Sequence, residues 1–210
     1  RIEQGADLPE MKQQVDVSKV IDNVLEDTSL QLKEKGIEVV RNTPHEMIVN
    51  GNPTLIYGIF RNLVDNSIAY ATGATRICII GIEVEEGDRH SYEFTVSDNG
   101  QGVSPEHLPH LFERFYRVDK SRSRAIGGTG LGLSITKSAV IRHHGTITLT
   151  SKEGEGTTFV VRIPLRYSAQ PMDLHVGRQH RQISRFLNWR RSRAGQKQYM
   201  EKTVRVSRRR

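Results

Sequence analysis

Apolar positions change period several times along the chain, and each change marks an element. From Asp16 to Gly36 the residues Val17, Val20, Ile21, Val24, Leu25 and Leu32 share one helical face. That spacing predicts a single amphipathic helix, capped by Asp16 or Ser18 and ended by Gly36. The runs IEVVRN (37–42) and EMIVN (46–50) read as two short strands around the turn residues Thr43 and Pro44. A second helix is predicted over 51–72, with Asn52 as N-cap, Pro53 as its first residue, and a core stripe of Leu55, Ile56, Ile59, Phe60, Leu63 and Val64. Strands follow over 76–86 and 91–98, joined by the turn EGDR, then a short helix at VSPEHL with Ser104 as cap and Pro105 behind it. A polar lid over 116–130 leads into a helix at LGLSITKSAVIRHHG, and 146–165 reads as a β-hairpin through a Gly-rich turn. The order α–β–β–α–β–β–α–lid–α–β–β has no regular βαβ crossovers, so it predicts a two-layer α/β sandwich, a mixed sheet with helices on one face.

Charge divides the chain in two. The net charge is +7 over 210 residues, but from Arg166 onward there are 13 Lys/Arg against 2 Asp/Glu, and before it 18 against 22. A mildly acidic domain thus carries a basic extension, and the overall pI says little about the domain itself. We expect residues 1–15 to be the end of an upstream dimerising helix and a linker, 16–166 the domain, and 167–210 a disordered tail. The tail's aromatics, Phe186, Trp189 and Tyr199, are sparse, so no nucleic-acid partner is expected. Mean hydropathy is −0.52, and neither a bilayer-length apolar run nor an apolar stretch in RIEQGADLPE is present. The one cysteine, Cys78 in ICIIGI, is expected to be a buried strand thiol.

Five stretches have candidate chemistry. Asn62, Asn66 and Tyr70 fall on one face of the second helix. Asparagine is a poor helix former, so this stripe is either solvated or a set of oxygen ligands for a hard cation such as Mg²⁺. In DNGQG (98–102), Asp98 continues the inward phase of Tyr92, Phe94 and Val96. A carboxylate facing inward needs donors; a purine's exocyclic amine is one, and Gly100 and Gly102 would let a flat ring lie against the backbone. The plain alternative is a strand-ending turn. FERFYR (112–117) interleaves aromatics with Arg114 and Arg117, whose forks suit phosphate oxygens. GGTGLGLS (127–134) is either a flexible loop or a phosphate cradle at a helix start. EGEGTTF (153–159) shapes a hairpin and offers the hydroxyl of Thr157 or Thr158.

In order and spacing these five stretches resemble the N, G1, F, G2 and G3 boxes of the ATP-binding catalytic domain of sensor histidine kinases, in the GHKL superfamily with its Bergerat-type fold. The resemblance covers about residues 1–165, and RVDKSRSRAIGGTGLGLSITK is similar to the family pattern throughout. It implies that Asn66 binds Mg²⁺ with Asn62 beside it near the phosphates, and that Tyr70 lines the nucleotide pocket. Asp98 would accept the adenine amine, with Gly100 and Gly102 against the ring, and Arg114 or Arg117 would approach the phosphates. Gly128, Gly130, Leu131 and Gly132 would form the lid hinge and the phosphate-facing helix start, and Thr158 would complete the adenine-side hydrogen bonds. One departure stands out: the family often has a lysine where this chain has Ala69, leaving Arg114, Arg117, Lys120 or Arg122 to compensate.

The resemblance further implies ATP and Mg²⁺ as cofactors and transfer of the γ-phosphoryl group to a histidine on a dimerising helical domain outside this chain. A response regulator as partner, a homodimer when full-length, and a cytoplasmic location in an inner-membrane sensor protein follow. RIEQG resembles the last turn of the dimerising region. His45 is expected to be a loop histidine after Pro44, and His143 and His144 to end a helix where imidazolium suits the dipole. The rival readings are a GHKL-type ATPase or serine kinase, such as an anti-sigma factor, and a nucleotide-sensing module without transfer activity.

Overall fold

A computed structural model describes residues 12–118 and 130–165. The expectations for residues 1–11, for the lid positions Lys120, Arg122 and Gly128, and for the tail 167–210 lie outside the described residues. The elements are β1 (Gln13–Asp16), α1 (Val17–Asp27), α2 (Ser29–Glu34), β2 (Glu38–Asn42), β3 (Ile48–Gly51), α3 (Pro53–Tyr70), β4 (Arg76–Glu86), β5 (Arg89–Asp98), α4 (Gly132–Arg142), β6 (Thr146–Lys152) and β7 (Gly156–Pro164). Five strands form one sheet in the order β2-β4-β5-β7-β6; β2 runs parallel to β4 and the other pairs are antiparallel.

The expected sandwich is present. Inward residues of the central strands, Ile77, Ile79, Phe94, Val96, Phe159, Val161 and Ile163, are buried together with Ile56, Ile59, Phe60, Leu63 and Val64 of α3 and Val140 of α4. Phe60 meets Phe94 edge to face, with centroids 5.0 Å apart, an arrangement favoured by the ring quadrupoles. The start of α3 forms as its sequence predicts: the Asn52 side chain accepts from Leu55 N–H, and Pro53 follows it.

Four local expectations are corrected. The expected linker up to residue 15 contains β1, whose Val15 is buried and whose backbone pairs with β3 in a separate two-stranded sheet. Consequently β2 and β3 belong to different sheets, because the strand each needs lies far away in sequence. The single helix over 16–36 is broken at Thr28, which is fully buried and donates its hydroxyl to Val24 O at 2.7 Å. VSPEHL is a turn followed by a 3-10 segment, Leu108–His110, in place of an α-helix. The Ser104 backbone carbonyl accepts from His107 N–H, and no side-chain hydrogen bond caps the segment among the described residues.

Candidate functional site

The cleft lies between α3, the end of β5, the loop after it and the start of α4. Its volume is about 820 Å³, within the range of small-molecule sites. Asn62, Asn66 and Tyr70 line one wall, in keeping with their shared helical face. Ala69 lies among them, as does Asp65, whose carboxylate is held by Arg61 Nε at 3.0 Å. A helical period of 3.6 therefore delivers this wall from local sequence alone.

Asp98 lies at the cleft floor, at the last position of β5. Its Oδ1 accepts from Gly100 N–H at 3.0 Å, and its Oδ2 accepts from the Ser67 hydroxyl at 3.2 Å. Two donors hold the carboxylate, and its remaining lone pairs are available to a ligand amine. Ser67 was missed in the sequence. It falls four residues after Leu63, so it extends the buried stripe of α3 and is only 2% exposed; a hydroxyl on that stripe was the available signal. The turn is wired from behind by Asn99, whose Oδ1 accepts from Thr75 and Arg76 N–H, each at 2.9 Å.

Gly102 has φ +72°, and a Cβ there would come within 2.2 Å of Lys152 O. Only glycine fits this wall. Gly100 is different: it packs closely against Ala71 and is not among the cleft-lining residues. Gly130 (φ +74°) lies against the backbone of Phe115, whose N–H donates to Gly130 O, so the FERFYR turn and the start of α4 are clasped together.

Of the two arginines, only Arg117 lines the cleft; Arg114 is exposed and is not among the lining residues. Among the described residues, Arg117 Nε and Nη2 are buried without a hydrogen-bond partner. Buried donors of that kind call for an acceptor, and a phosphate oxygen suits a guanidinium fork. Gly132 lines the cleft, while Leu131 precedes the helix as its N-cap and does not. No side chain caps α4, so its first amides face the cleft end without an internal acceptor.

Thr158 is corrected. Its neighbour Thr157 lines the cleft with Phe159, whereas Thr158 points to the opposite face of β7. Alternation along a strand decides between adjacent hydroxyls, and the buried Phe159 already gave the phase. Tyr116 and His107 also line the cleft and were not anticipated; His107 Nδ1 and the Tyr116 hydroxyl are 2.6 Å apart.

His143 departs from the expected imidazolium. It is buried, its Nδ1 donates to Ala139 O at 2.7 Å, and its Nε2 accepts from Asn52 N–H at 3.1 Å. Burial pushes its pKa below the ordinary histidine value, and nearby His144 and Arg142 add to that against the raising effect of the Ala139 carbonyl. The ring is therefore a neutral link between the end of α4 and the start of α3. His45 is an exposed loop residue, as expected.

The donor set fits a magnesium–nucleotide: amide oxygens on α3, an acceptor at the floor, and a guanidinium with two open donors. Residues 51–167 match the model of the family described as histidine kinase-, DNA gyrase B-, and HSP90-like ATPase. The sensor-like histidine kinase SenX3 of Mycobacterium tuberculosis H37Rv is 38% identical over 162 residues, which are 77% of this chain and 38% of that protein. The phosphate regulon sensor protein PhoR of Haemophilus influenzae is 37% identical over 153 residues, 72% of this chain and 35% of that protein. The chain thus spans under two fifths of the length of these relatives. Among solved structures, the mycobacterial sensor histidine kinase MprB superposes with a TM-score of 0.61 at 25% identity, over 75% of this chain and 99% of that one.

Proposed function

This chain belongs to the histidine kinase-, DNA gyrase B-, and HSP90-like ATPase family, and from that premise we propose that it binds Mg-ATP in the cleft and passes the γ-phosphoryl group to a histidine on a dimerising helical domain. The strongest support is convergence. The inward Asp98 with its two donors, the glycine-only wall at Gly102, the unpartnered Arg117 donors and the paired asparagines of α3 all meet in one space.

In this reading Asp98 accepts the adenine amine, and the Gly102 wall and Tyr70 confine the ring. Asn66 would hold Mg²⁺, with Asn62 beside it near the phosphates, and the ion when bound would supply charge neutralisation to them. Arg117 and the first amides of α4 take the phosphate oxygens, and Arg117 substitutes for the cation absent at Ala69. Gly130 joins the FERFYR turn to the phosphate-facing start of α4. The chain's own contribution to chemistry is alignment and electrostatic complementarity, since phosphoryl transfer asks little covalent work of the protein. The acceptor histidine belongs to the dimerising domain; a full-length homodimer, a response regulator and a cytoplasmic position in a membrane sensor complete the proposal. Among the described residues no helix is long and apolar enough to cross a membrane.

The test is labelling with γ-labelled ATP. The chain alone should bind ATP without becoming labelled; adding a dimerising helical domain that has the acceptor histidine should give acid-labile, base-stable label on that partner. Label on His45, His143 or His144 of this chain would refute the assignment. Tight binding with no transfer to any such partner would favour the nucleotide-sensing module, and label on a serine would favour the serine-kinase branch.

A further inference from the structure

Thr136 is a polar residue with no exposed surface on the inward side of α4, beside Ala139 and Val140. Its hydroxyl donates to Gly132 O at 2.9 Å, one turn back. With its hydrogen committed there, Thr136 Oγ1 has only lone pairs for any other partner. That partner is the side-chain amide nitrogen of Asn62, at 3.2 Å. The same nitrogen lies 3.3 Å from Gly132 O. Both groups facing this side of Asn62 are therefore acceptors. A carbonyl oxygen turned toward them would face the lone pairs of Gly132 O, and Thr136 could donate to it only by giving up its own bond to Gly132 O, so the NH₂ end of the carboxamide is favoured there.

We propose that Thr136 is a positioning residue that sets the orientation of the Asn62 carboxamide, so that Asn62 presents its carbonyl oxygen to the cleft. The proposal rests on the Mg-ATP reading above, since an oxygen aimed into the cleft serves a hydrated divalent cation, and an NH₂ aimed there would repel it. The arrangement has a second consequence. Asn62 on α3 and the first turn of α4 share Thr136 and Gly132 O, so a shift of the α4 start is passed to a group on the cation wall. Thr136 itself is not among the residues that line the cleft; it acts only through Asn62.

Thr136→Val keeps the branched shape and removes the hydroxyl, and Thr136→Ser keeps the hydroxyl. The measurements on the full chain are ATP affinity with and without Mg²⁺, adenosine affinity, and hydrogen-exchange protection of the Asn62 side-chain amide by nuclear magnetic resonance. In Thr136→Val the Mg²⁺-dependent part of ATP affinity should fall roughly 3- to 10-fold, the net worth of one hydrogen bond. Adenosine affinity should hold, the Asn62 amide should lose protection, and Thr136→Ser should behave as wild type. Unchanged Mg²⁺ dependence and unchanged amide protection in Thr136→Val would overturn the proposal. So would a fall of adenosine affinity and thermal midpoint in Thr136→Ser with Thr136→Val behaving as wild type, which marks a space-filling role. If the wild-type chain binds no Mg-ATP, the nucleotide reading fails separately. The amide signal then decides the Thr136–Asn62 orientation by itself: protection lost in Thr136→Val supports it, and protection kept overturns it.

Discussion

Asp98→Asn separates recognition of the base from recognition of the phosphates. In the native site Oδ1 accepts from Gly100 N–H and Oδ2 from the Ser67 hydroxyl. An asparagine in the same rotamer can keep its oxygen on the Gly100 N–H, which cannot act as an acceptor. Its NH₂ must then face Ser67, whose hydroxyl can rotate and accept. The fold therefore exchanges two charge-assisted hydrogen bonds for two neutral ones, a cost of about 1–2 kcal/mol. A bound base loses more. The amine of adenine would meet a neutral group whose oxygen is already engaged and whose nitrogen is itself a donor. Loss of a hydrogen bond to a charged acceptor costs about 1.5–3 kcal/mol, or roughly 10- to 150-fold in affinity. Inorganic triphosphate makes no use of Asp98 and should bind as before. The assay is displacement of a fluorescent nucleotide by ATP, adenosine and triphosphate, with the thermal midpoint followed in parallel. Equal weakening of ATP and triphosphate would show that Asp98 acts through the fold and that the base does not sit at this floor.

Asn66→Ala should remove the Mg²⁺ dependence of ATP binding, at about 2–4 kcal/mol, and leave the circular dichroism spectrum unchanged, because Asn66 lines the cleft and is not a core residue. Gly102→Ala should lower stability and nucleotide affinity together, by at least about 2 kcal/mol of folding energy, since its Cβ would overlap Lys152 O in a positive-φ conformation; an unchanged denaturation midpoint would refute this. His143 stays neutral when buried, so its folded pKa lies below the unfolded value of 6.5. Its contribution to stability is complete above the unfolded pKa and declines as pH falls from there to the folded pKa, where the unfolded chain binds a proton that the native ring refuses. Thermal midpoints measured from about pH 8 down to about pH 5 should show this decline in the wild type and less of it in His143→Gln. Deleting residues 168–210 should leave ATP affinity and the thermal midpoint unchanged, because every proposed contact precedes them; a large drop in either would place the domain boundary later.

Local sequence determined most of the helices and strands and one wall of the site. The stripe of α3, its Asn52–Pro53 start, the phase that turns Asp98 inward and the two antiparallel hairpins all follow from periods of 3.6 and 2, which neighbouring residues impose without knowledge of the rest of the chain. Partner choice did not follow. That β1 pairs with β3 and β2 with β4 depends on surfaces brought together from distant sequence, and any short alternating run is compatible with several neighbours. Thr28 interrupts a helix whose apolar pattern continues through it: its backbone leaves helical geometry at φ −101°, ψ 0°, and its buried hydroxyl bonds Val24 O. The site divides the same way. Asn62, Asn66 and Tyr70 were legible as a helical face, whereas Ser67 behind Asp98, Thr136 behind Asn62 and His143 against Asn52 N–H acquire their roles only from a partner 31, 74 and 91 residues away. A buried polar group must be satisfied, but which group satisfies it is decided by packing.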